Sequence, residues 1–455
     1  MTTFSNLIIL PFILRSISQE EYGLWSIFFS IDAGIGLIEM GLGTVVTRYI
    51  TYAFCGAVDI PMEGLPRLER KKSSNHKLLF NIVYVAKDIY RKITLIALGL
   101  FAVASIYIVI LSLQLNNPWN AIVGWVIFSC GCLLRTYFTY LNSFMKGIGM
   151  IKEMETVGTL LTIIYLLTRL GFVLFGWGLI GLGFASILDA GLGRILIYKS
   201  LKGYIKDHEE YASKARKETK AGGNKAIKRV IWKNSKQMGV LTVSDYLTGQ
   251  GKSLICSTIL PLSVTAQFSL TNQLISAVAS VSLIPYMTFR VQMGDAIVRH
   301  DDEKTKDILA FSLMIFVGLM LTGGIVVIFW GGKAIAFIKS NTFLLENRYV
   351  VLLILYSFVM SLNSICTGYI GLTNTQVFVW PTAVSGISGV VLSYLAFSIV
   401  GTNALSCYIY AVLASQLVYN AWKWPMYVRS QTGLKLRDIP ERGLSYLTRV
   451  MQGKN

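Results

Sequence analysis

The sequence predicts an all-α polytopic membrane protein of about twelve transmembrane helices. Of the 455 residues, 54% are hydrophobic and only 15% are charged, whereas soluble proteins carry about 25% charged residues. So few charges cannot cover the several soluble domains that this length would suggest, and a disordered chain would need low hydrophobicity. The charges also cluster in the segments between apolar runs. These observations predict the fold class before any single helix is assigned.

The apolar runs have the length of spans, because a helix needs about 20 apolar residues to cross a bilayer. Runs 93–113 and 308–330 are the clearest, and residues 349–422 contain no Asp, Glu, Lys or Arg and hold three spans. Residues 4–14 form a shorter apolar run, and even residues 1–14 supply at most about 21 Å of helix. We expect that part of this first helix is missing, with a cleavable signal peptide as the alternative. The other predicted spans are 22–40, 119–141, 157–176, 178–197, 238–260 and 267–289.

The distribution of Lys and Arg predicts the orientation and the domains. Connectors 48–92 and 199–236 carry nine and twelve basic residues, whereas connectors 114–119 and 175–178 carry none. Basic loops stay cytoplasmic, so both termini are predicted to be cytoplasmic. Residues 77–92 have an amphipathic pattern that favours a helix on the inner membrane surface. The predicted domains are a first six-helix bundle at 1–201 with a basic interfacial segment at 66–92, a basic cytoplasmic linker at 202–236, a second six-helix bundle at 237–426, and a cytoplasmic tail at 427–455.

Several ionisable residues lie inside the predicted spans. Each costs about 2.5–3.5 kcal/mol at the bilayer centre on insertion scales, so such residues are functional candidates. Asp32 and Glu39 are seven residues apart and share a helix face, and Asp245 and Lys252 have the same spacing in span 238–260. Polar residues grouped on one face indicate a water-filled cavity. The alternative is that the acids pair with arginines of neighbouring helices and only hold the bundle together.

The candidate residues fall into two chemical groups. Cations on several spans suit an anionic substrate group, because guanidinium and ammonium groups bind phosphate oxygens strongly where water is scarce. Carboxylates nearby can take up H⁺ or Na⁺ and so couple transport to an ion gradient. The substrate candidates are Arg135, Arg169, Lys252, Arg15, Arg48 and Arg290, and the ion-coupling candidates are Asp32, Glu39, Asp245 and Asp189.

Other functional classes find little support. The sequence has no P-loop, and the glycines of residues 34–41 lie inside an apolar span, so no nucleotide site is predicted. Ser18 and Glu21 are interpreted as a capping box that opens a helix, and not as the acidic site of a membrane glycosyltransferase. The net charge of +18 sits in connectors, which argues against a nucleic-acid partner. No cofactor and no metal ion are predicted.

Residues 18–26 (SQEEYGLWS), 41–44 (GLGT) and 47–49 (TRY) resemble the opening of the Wzx-like O-antigen and polysaccharide flippases. These proteins belong to the multidrug/oligosaccharidyl-lipid/polysaccharide (MOP) exporter superfamily, and the six-plus-six layout fits over nearly the whole chain. The resemblance implies two six-helix bundles around a central cavity, in the bacterial inner (plasma) membrane. The sequence departs from the family in its short first helix, since this helix is usually complete in the family. The depth of Arg15 in the membrane depends on the length of that helix.

The resemblance also implies a function. A flippase of this family moves undecaprenyl-pyrophosphate-linked oligosaccharide to the outer leaflet by alternating access, coupled to H⁺ or Na⁺, for O-antigen or other lipopolysaccharide and polysaccharide biosynthesis. The implied partners are this lipid-linked oligosaccharide, membrane lipids, the coupling ion and other polysaccharide-assembly proteins. A MATE-like small-molecule or drug cation antiporter is the first alternative. A membrane glycosyltransferase or polymerase is the second, and it would need a larger outer domain than the loops allow.

Overall fold

The computed structural model describes residues 2–61, 74–220, 224–373, 377–400 and 403–452, and these residues form helices and no β-strand, which confirms the all-α class. Within these ranges the side chains of 2–7, 220, 236–238, 240, 241, 244, 245, 298 and 451 are not described. The helices are α1 (Thr2–Ser16), α2 (Gln19–Glu39), α3 (Leu42–Phe54), α4 (His76–Ser112), α5 (Pro118–Gly147), α6 (Ile151–Leu174), α7 (Gly178–Asp207), α8 (Glu209–Lys220), α9 (Lys225–Thr248), α10 (Lys252–Ser257), α11 (Leu262–Val298), α12 (Asp302–Val326), α13 (Gly332–Phe337), α14 (Asn347–Leu372), α15 (Val379–Val400), α16 (Ala404–Leu417), α17 (Asn420–Thr432) and α18 (Ile439–Met451).

The chain divides into two compact units, Met1–Tyr246 and Leu247–Asn455. In the first unit a core of buried side chains joins α3, α4, α5, α7 and α8 with the start of α9. In the second unit the buried side chains of α11, α12, α14, α16, α17 and α18 form another core. Each unit therefore has its own hydrophobic core, as expected of a compact domain.

Eight helices in the described part of the chain are long and apolar enough to cross a membrane, and the bent pair α2–α3 adds a ninth. These nine correspond to nine of the twelve predicted spans. Among the other three, α1 has 15 residues and α16 has 14. Both are shorter than the roughly 20 residues that a perpendicular span requires.

The predicted span 238–260 is the third exception, and its prediction as one helix is wrong. The helix α9 ends at Thr248 and the six-residue α10 begins at Lys252. The residues between them include Gly249 and Gly251, and glycine disfavours a helix interior by about 1 kcal/mol relative to alanine. Because the helix is interrupted, the seven-residue spacing of Asp245 and Lys252 does not place them on one helix face.

The second span bends by 46° between α2 and α3. The residues at the bend, Met40 and Gly41, both have left-handed backbone conformations, with φ of 48° and 67°. A left-handed residue cannot continue a right-handed helix, so α2 stops at Glu39 and a new helix starts at Leu42. The bend carries the acidic Glu39 at its corner.

The sequence pattern suggested a separate surface helix at residues 77–92, and the structure does not have one. It is the first part of α4, an uninterrupted helix of 37 residues. Leu79, Ile82, Ala86 and Ile89 from its apolar face are buried in the core of the first unit. That face therefore packs against protein, mainly α3, α5 and α8, and not against lipid. Residues 66–73 of the predicted interfacial segment lie outside the described residues.

The predicted cytoplasmic linker and tail are helical where the structure describes them. Asn81 of α4 donates a hydrogen bond to Glu218 of α8 at 3.2 Å, and Lys228 of α9 lies 2.9 Å from the carboxylate of Asp88. In the second unit, α18 packs against α12, where the buried Asp307 accepts hydrogen bonds from two arginines, Arg442 and Arg449. Polar contacts thus hold these basic segments to their own units.

The closest helix pair of the first unit is α5 and α7. At Gly124 a Cβ atom would lie 2.8 Å from the backbone of Leu179, and at Gly131 it would lie 2.9 Å from the backbone nitrogen of Ile187. Only glycine permits backbones to approach so closely, a common device between membrane helices. The contact fixes α7 against α5 along two turns.

Candidate functional site

The capping box predicted at the start of α2 is confirmed. The Ser18 hydroxyl accepts a hydrogen bond from the backbone N–H of Glu21 at 3.1 Å, and the Glu21 carboxylate accepts one from the backbone N–H of Ser18 at 2.8 Å. Glu21 is therefore engaged in helix initiation. The cap fixes the start of the helix that carries the predicted ion-coupling residues Asp32 and Glu39.

Two of the predicted residues form a pair in the first unit, and a third lies within electrostatic range of that pair. The guanidinium of Arg135 on α5 forms an ion pair with the carboxylate of Asp32 on α2, and it also acts electrostatically on Asp189 of α7. The side chain of Asp32 is 14% exposed and that of Arg135 is 52% exposed. This acidic and basic set, Asp32, Arg135 and Asp189, is called the charge cluster below. The pairing that the sequence analysis weighed as the structural alternative is thus present for Asp32, although half of the arginine remains accessible.

Glu39 has a different partner. The hydroxyl of Tyr90 on α4 donates a hydrogen bond to its carboxylate at 2.5 Å. Ser143 of α5 donates to the backbone carbonyl of Gly43 at 3.1 Å, just after the bend. A phenol donor stabilises a carboxylate without neutralising its charge. The corner between α2 and α3 therefore has an anionic side chain held by a neutral group.

Arg169 on α6 is buried, and aromatic rings surround its guanidinium. The guanidinium carbon lies 5.0 Å from the ring centre of Tyr165 and 5.9 Å from that of Trp25. Cations over aromatic faces gain about 2 kcal/mol or more when they are shielded from water. The arrangement keeps a permanently charged group inside an apolar helix layer of the first unit.

Lys252 is the buried cation of the second unit, with a 9% exposed side chain. Its ammonium group lies 4.5 Å from the ring centre of Tyr356 and 3.4 Å from the amide oxygen of Asn272. No carboxylate lies within ion-pair distance among the side chains described in this unit. The contacts that the described side chains supply to this buried ammonium group, whose burial is costly, are thus neutral.

The remaining predicted residues are not brought together with these groups. Arg15 at the end of α1, Arg48 in α3 and Arg290 in α11 are exposed. The guanidinium of Arg48 lies 5.3 Å from the ring centre of the adjacent Tyr49. The side chain of Asp245 lies outside the described residues.

The sequence analysis missed the neutral partners of the charged residues, Tyr90, Trp25, Tyr165 and Tyr356. Arg194 is a further charged residue beside aromatic rings, since its guanidinium lies 4.1 Å from the ring centre of Phe138 and 5.1 Å from that of Tyr198. One signal was available, because Tyr165 and Tyr198 are each four residues from their arginine and side chains at that spacing are neighbours on a helix. Tyr90, Trp25 and Tyr356 are contributed by other helices, and no spacing indicates them.

No family model matches this sequence, and no curated protein matches it. Similarity is found among solved structures. The inward-facing conformation of a multidrug resistance MATE family transporter of the MOP superfamily has a TM-score of 0.69 at 13% identity, covering 95% of both chains. These values describe a shared architecture over nearly the entire length.

Two further structures have the same architecture. The lipid II flippase MurJ in an inward closed conformation gives a TM-score of 0.55 at 14% identity, covering 98% of this chain and 90% of MurJ. The MATE transporter ClbM in complex with Rb⁺ gives 0.53 at 16% identity, covering 98% and 94%. At such identities the similarity establishes the fold and not the substrate. The chain is a multi-pass membrane protein with the fold of the MATE transporters and MurJ.

Proposed function

We propose that this chain is a flippase of the Wzx-like kind, which moves a lipid-linked oligosaccharide of the undecaprenyl-pyrophosphate type across the bacterial inner membrane. Transport proceeds by alternating access and uses an H⁺ or Na⁺ gradient, without covalent chemistry. Support comes from the resemblance of residues 18–26, from the fold, and from the buried cations. MurJ, with the same fold, is named a lipid II flippase, so this architecture is compatible with a lipid-borne substrate.

The buried Lys252 is the observation that carries the proposal. Among the described side chains, its ammonium group has an amide oxygen and a phenol ring as partners and no carboxylate within ion-pair distance. In a medium of low dielectric constant, an entering anion gains far more from such a group than it would in water. A pyrophosphate is the anion that a lipid-linked oligosaccharide would present. In this proposal Lys252 binds the anionic head group, and the buried Arg169 is the candidate for anion binding within the first unit.

The charge cluster supplies the coupling step of the proposal. A proton or Na⁺ that binds Asp32 removes the negative charge opposite Arg135 and weakens their ion pair. Arg135 is then available to the anionic substrate, while the distance between Asp189 on α7 and α5 stays the same. Binding of the ion and of the anion are thereby linked thermodynamically. Glu39, at the bend and held by a neutral phenol, is the second ion-coupling candidate.

A MATE-like cation antiporter is the second candidate function. The carboxylates of Asp32 and Asp189 favour it, because a cationic substrate would be attracted to them, and the fold is shared with MATE transporters as well as with MurJ. The two functions differ in the charge of the substrate. A cation antiporter would need Asp32 free of Arg135 when substrate binds, and Lys252 would repel its substrate.

The test is transport by the purified full chain in liposomes. The probe is an undecaprenyl-pyrophosphate-linked trisaccharide, and its arrival in the far leaflet is measured by lectin binding under an imposed H⁺ or Na⁺ gradient. We expect gradient-dependent movement by the wild type, a loss of at least about tenfold in Lys252→Met, and partial activity in Lys252→Arg, since each 1.4 kcal/mol is tenfold. Lys333→Met, which removes an exposed lysine in the same unit, is the matched control.

The same liposomes report the alternative when ethidium replaces the glycolipid. Gradient-driven ethidium movement that survives in Lys252→Met, with no glycolipid movement by the wild type, would establish the cation antiporter and overturn the flippase. Equal glycolipid movement by wild type and Lys252→Met would contradict the role of Lys252 in anion binding.

A further inference from the structure

An open pocket at one end of the first unit carries a different kind of chemistry. It has a volume of about 450 Å³ and lies where α5 begins and where α6 meets α7. Its volume falls in the range of about 300–1,000 Å³ that is usual for small-molecule sites. It is separate from the charge cluster and plays no part in the ion coupling described above. Its lining residues are Asn117, Trp119, Asn120, Val123, Gly176, Trp177 and Ile180.

The lining combines two indole rings with two carboxamides and contains no charged residue. The amide oxygen of Asn117 caps α5 by accepting from the backbone N–H of Asn120 at 3.4 Å, and the amide oxygen of Asn120 accepts from the backbone N–H of Ile180 at 3.4 Å. Both amide oxygens are thus engaged, which orients the NH₂ groups as the available donors. Within the described residues, neither indole N–H has a hydrogen-bond partner. The pocket therefore offers four donor groups, two indole N–H and two amide NH₂, beside two aromatic faces.

Trp177 stands in a turn between α6 and α7. Gly176 and Gly178 on either side of it have φ of 72° and 54°, a conformation that glycine adopts at little cost. The indole of Trp177 packs against Phe172 and Phe184, with ring centres at 5.2 and 6.0 Å. Trp177 is 49% exposed and Trp119 is 73% exposed. Both indoles therefore keep accessible surface, and Trp177 is the one supported by neighbouring rings.

We propose that this pocket binds an uncharged pyranose ring of a glycan. A pyranose presents C–H faces that stack on indole rings and hydroxyl oxygens that accept from N–H donors. A cation would find no carboxylate here, an anion would find no cation, and an alkyl chain would leave the amides unpaired. Connectors 114–119 and 175–178 are free of Lys and Arg, which by the positive-inside rule predicts that the pocket opens on the outer side of the membrane.

That the pyranose belongs to the transported glycan rests on the proposed function. That the pocket binds a pyranose does not depend on transport. Binding can be measured without any transport. If glycosides bind but no glycolipid moves, the site stands and the flippase proposal fails. If glycolipid moves but nothing binds here, the flippase proposal stands and this site fails.

The experiment titrates the full chain in phospholipid nanodiscs free of sugar lipids, with saturation-transfer NMR as the readout. The probes are the methyl glycosides of glucose, galactose and N-acetylglucosamine, with a glucosyl lipid embedded in the disc as a separate arm. We expect saturable binding in at least one arm, weakened about tenfold in Trp119→Leu. The arm that responds tells whether the pocket takes a free or a membrane-borne sugar.

A second variant keeps the proposal testable if Trp119→Leu fails to fold. Asn117→Asp keeps the acceptor that caps α5, because aspartate caps helices as well as asparagine does, but it removes the NH₂ donor, and we expect it to weaken binding several-fold. Trp380→Leu, at an exposed tryptophan of the second unit, is the control and should bind as the wild type does. No binding in either arm would overturn the proposal. A second outcome would also overturn it, namely saturation transfer to the sugar-free phospholipid in the wild type that is lost in Trp119→Leu. That result would identify Trp119 as an interfacial anchor of the aromatic belt.

Discussion

The two units hold their membrane-embedded charge in different ways. In the first unit Arg135 faces Asp32 and Asp189, so the cluster contains its own counter-charges. In the second unit Lys252 has an amide oxygen and a phenol ring as its described neighbours. A paired cluster is costly to break, whereas a cation surrounded by neutral groups is costly to keep. We therefore expect the first arrangement to contribute to stability, whereas burial of Lys252 costs stability, which makes Lys252 the candidate for a functional role.

The largest effect on stability is expected for Arg135→Gln, which leaves Asp32 and Asp189 without their cation. Hydrogen bonds to charged groups contribute about 1.5–3 kcal/mol, so the free energy of unfolding should fall by about that amount. Steric trapping of the protein in bicelles measures it. The double variant Asp32→Asn with Arg135→Gln should recover part of the loss, since both charges of the pair are then absent. If the single and double variants lose equal stability, the ion pair does not stabilise the first unit.

Tyr90→Phe is expected to have the next largest effect. It removes the donor to Glu39 at the bend, and an unsatisfied buried acceptor costs about 1–3 kcal/mol, here at the lower end because Glu39 is only partly buried. Tyr410→Phe at an exposed position is the matched control and should not differ from the wild type. If both tyrosine variants unfold alike, the 2.5 Å contact between Tyr90 and Glu39 contributes nothing measurable.

Lys252→Met should change stability in the opposite direction. Replacing a buried charge by an apolar side chain of similar length is often neutral or stabilising by about 1–4 kcal/mol, and we expect about 1 kcal/mol because the ring and the amide are lost as partners. Thermal unfolding in nanodiscs, with Lys333→Met as the control, shows whether Lys252→Met raises or lowers the stability. A clear loss of stability would mean that Lys252 is a structural residue, and the contrast between the units would disappear.

Arg290→Gln should have the smallest effect. Its side chain is exposed, and substitutions at such positions usually stay within about 0.5 kcal/mol. Stability and glycolipid transport should both remain close to those of the wild type, measured in the same two assays. A strong loss of transport with unchanged stability would instead place Arg290 with Lys252 and Arg169 as a substrate contact.

Much of the fold could be predicted because hydropathy is summed over long windows. Nine predicted spans correspond to helices or to the bent pair that satisfy the length and hydropathy required of a span. The failures are local events that a window averages away. The interruption at Gly249 and Gly251 is one, and the break after Leu417 is another. The amphipathic pattern of residues 77–92 was correctly recognised, but a pattern does not distinguish a protein neighbour from a lipid surface.

The candidate site could be predicted only as a set of residues. The energetic cost of a charge in a membrane selected Asp32, Arg135, Asp189 and Lys252. That the first two pair, with the third within electrostatic range, depends on the arrangement of α2, α5 and α7, which sequence spacing does not encode. The aromatic partners were missed for the same reason, except where they lie one turn from the cation, as Tyr165 does from Arg169.

The glycine contact between α5 and α7 has a mechanical consequence. Gly131 touches α7 one turn before Arg135, and the same stretch of α7 carries Asp189 just beyond Ile187. Backbones in contact cannot slide past each other without first separating, so we expect α5 and α7 to move together as one rigid pair. The gap between Arg135 and Asp189 is then constant, and Asp32, borne on a helix that ends at a hinge-like corner, is the member of the trio whose distance can vary.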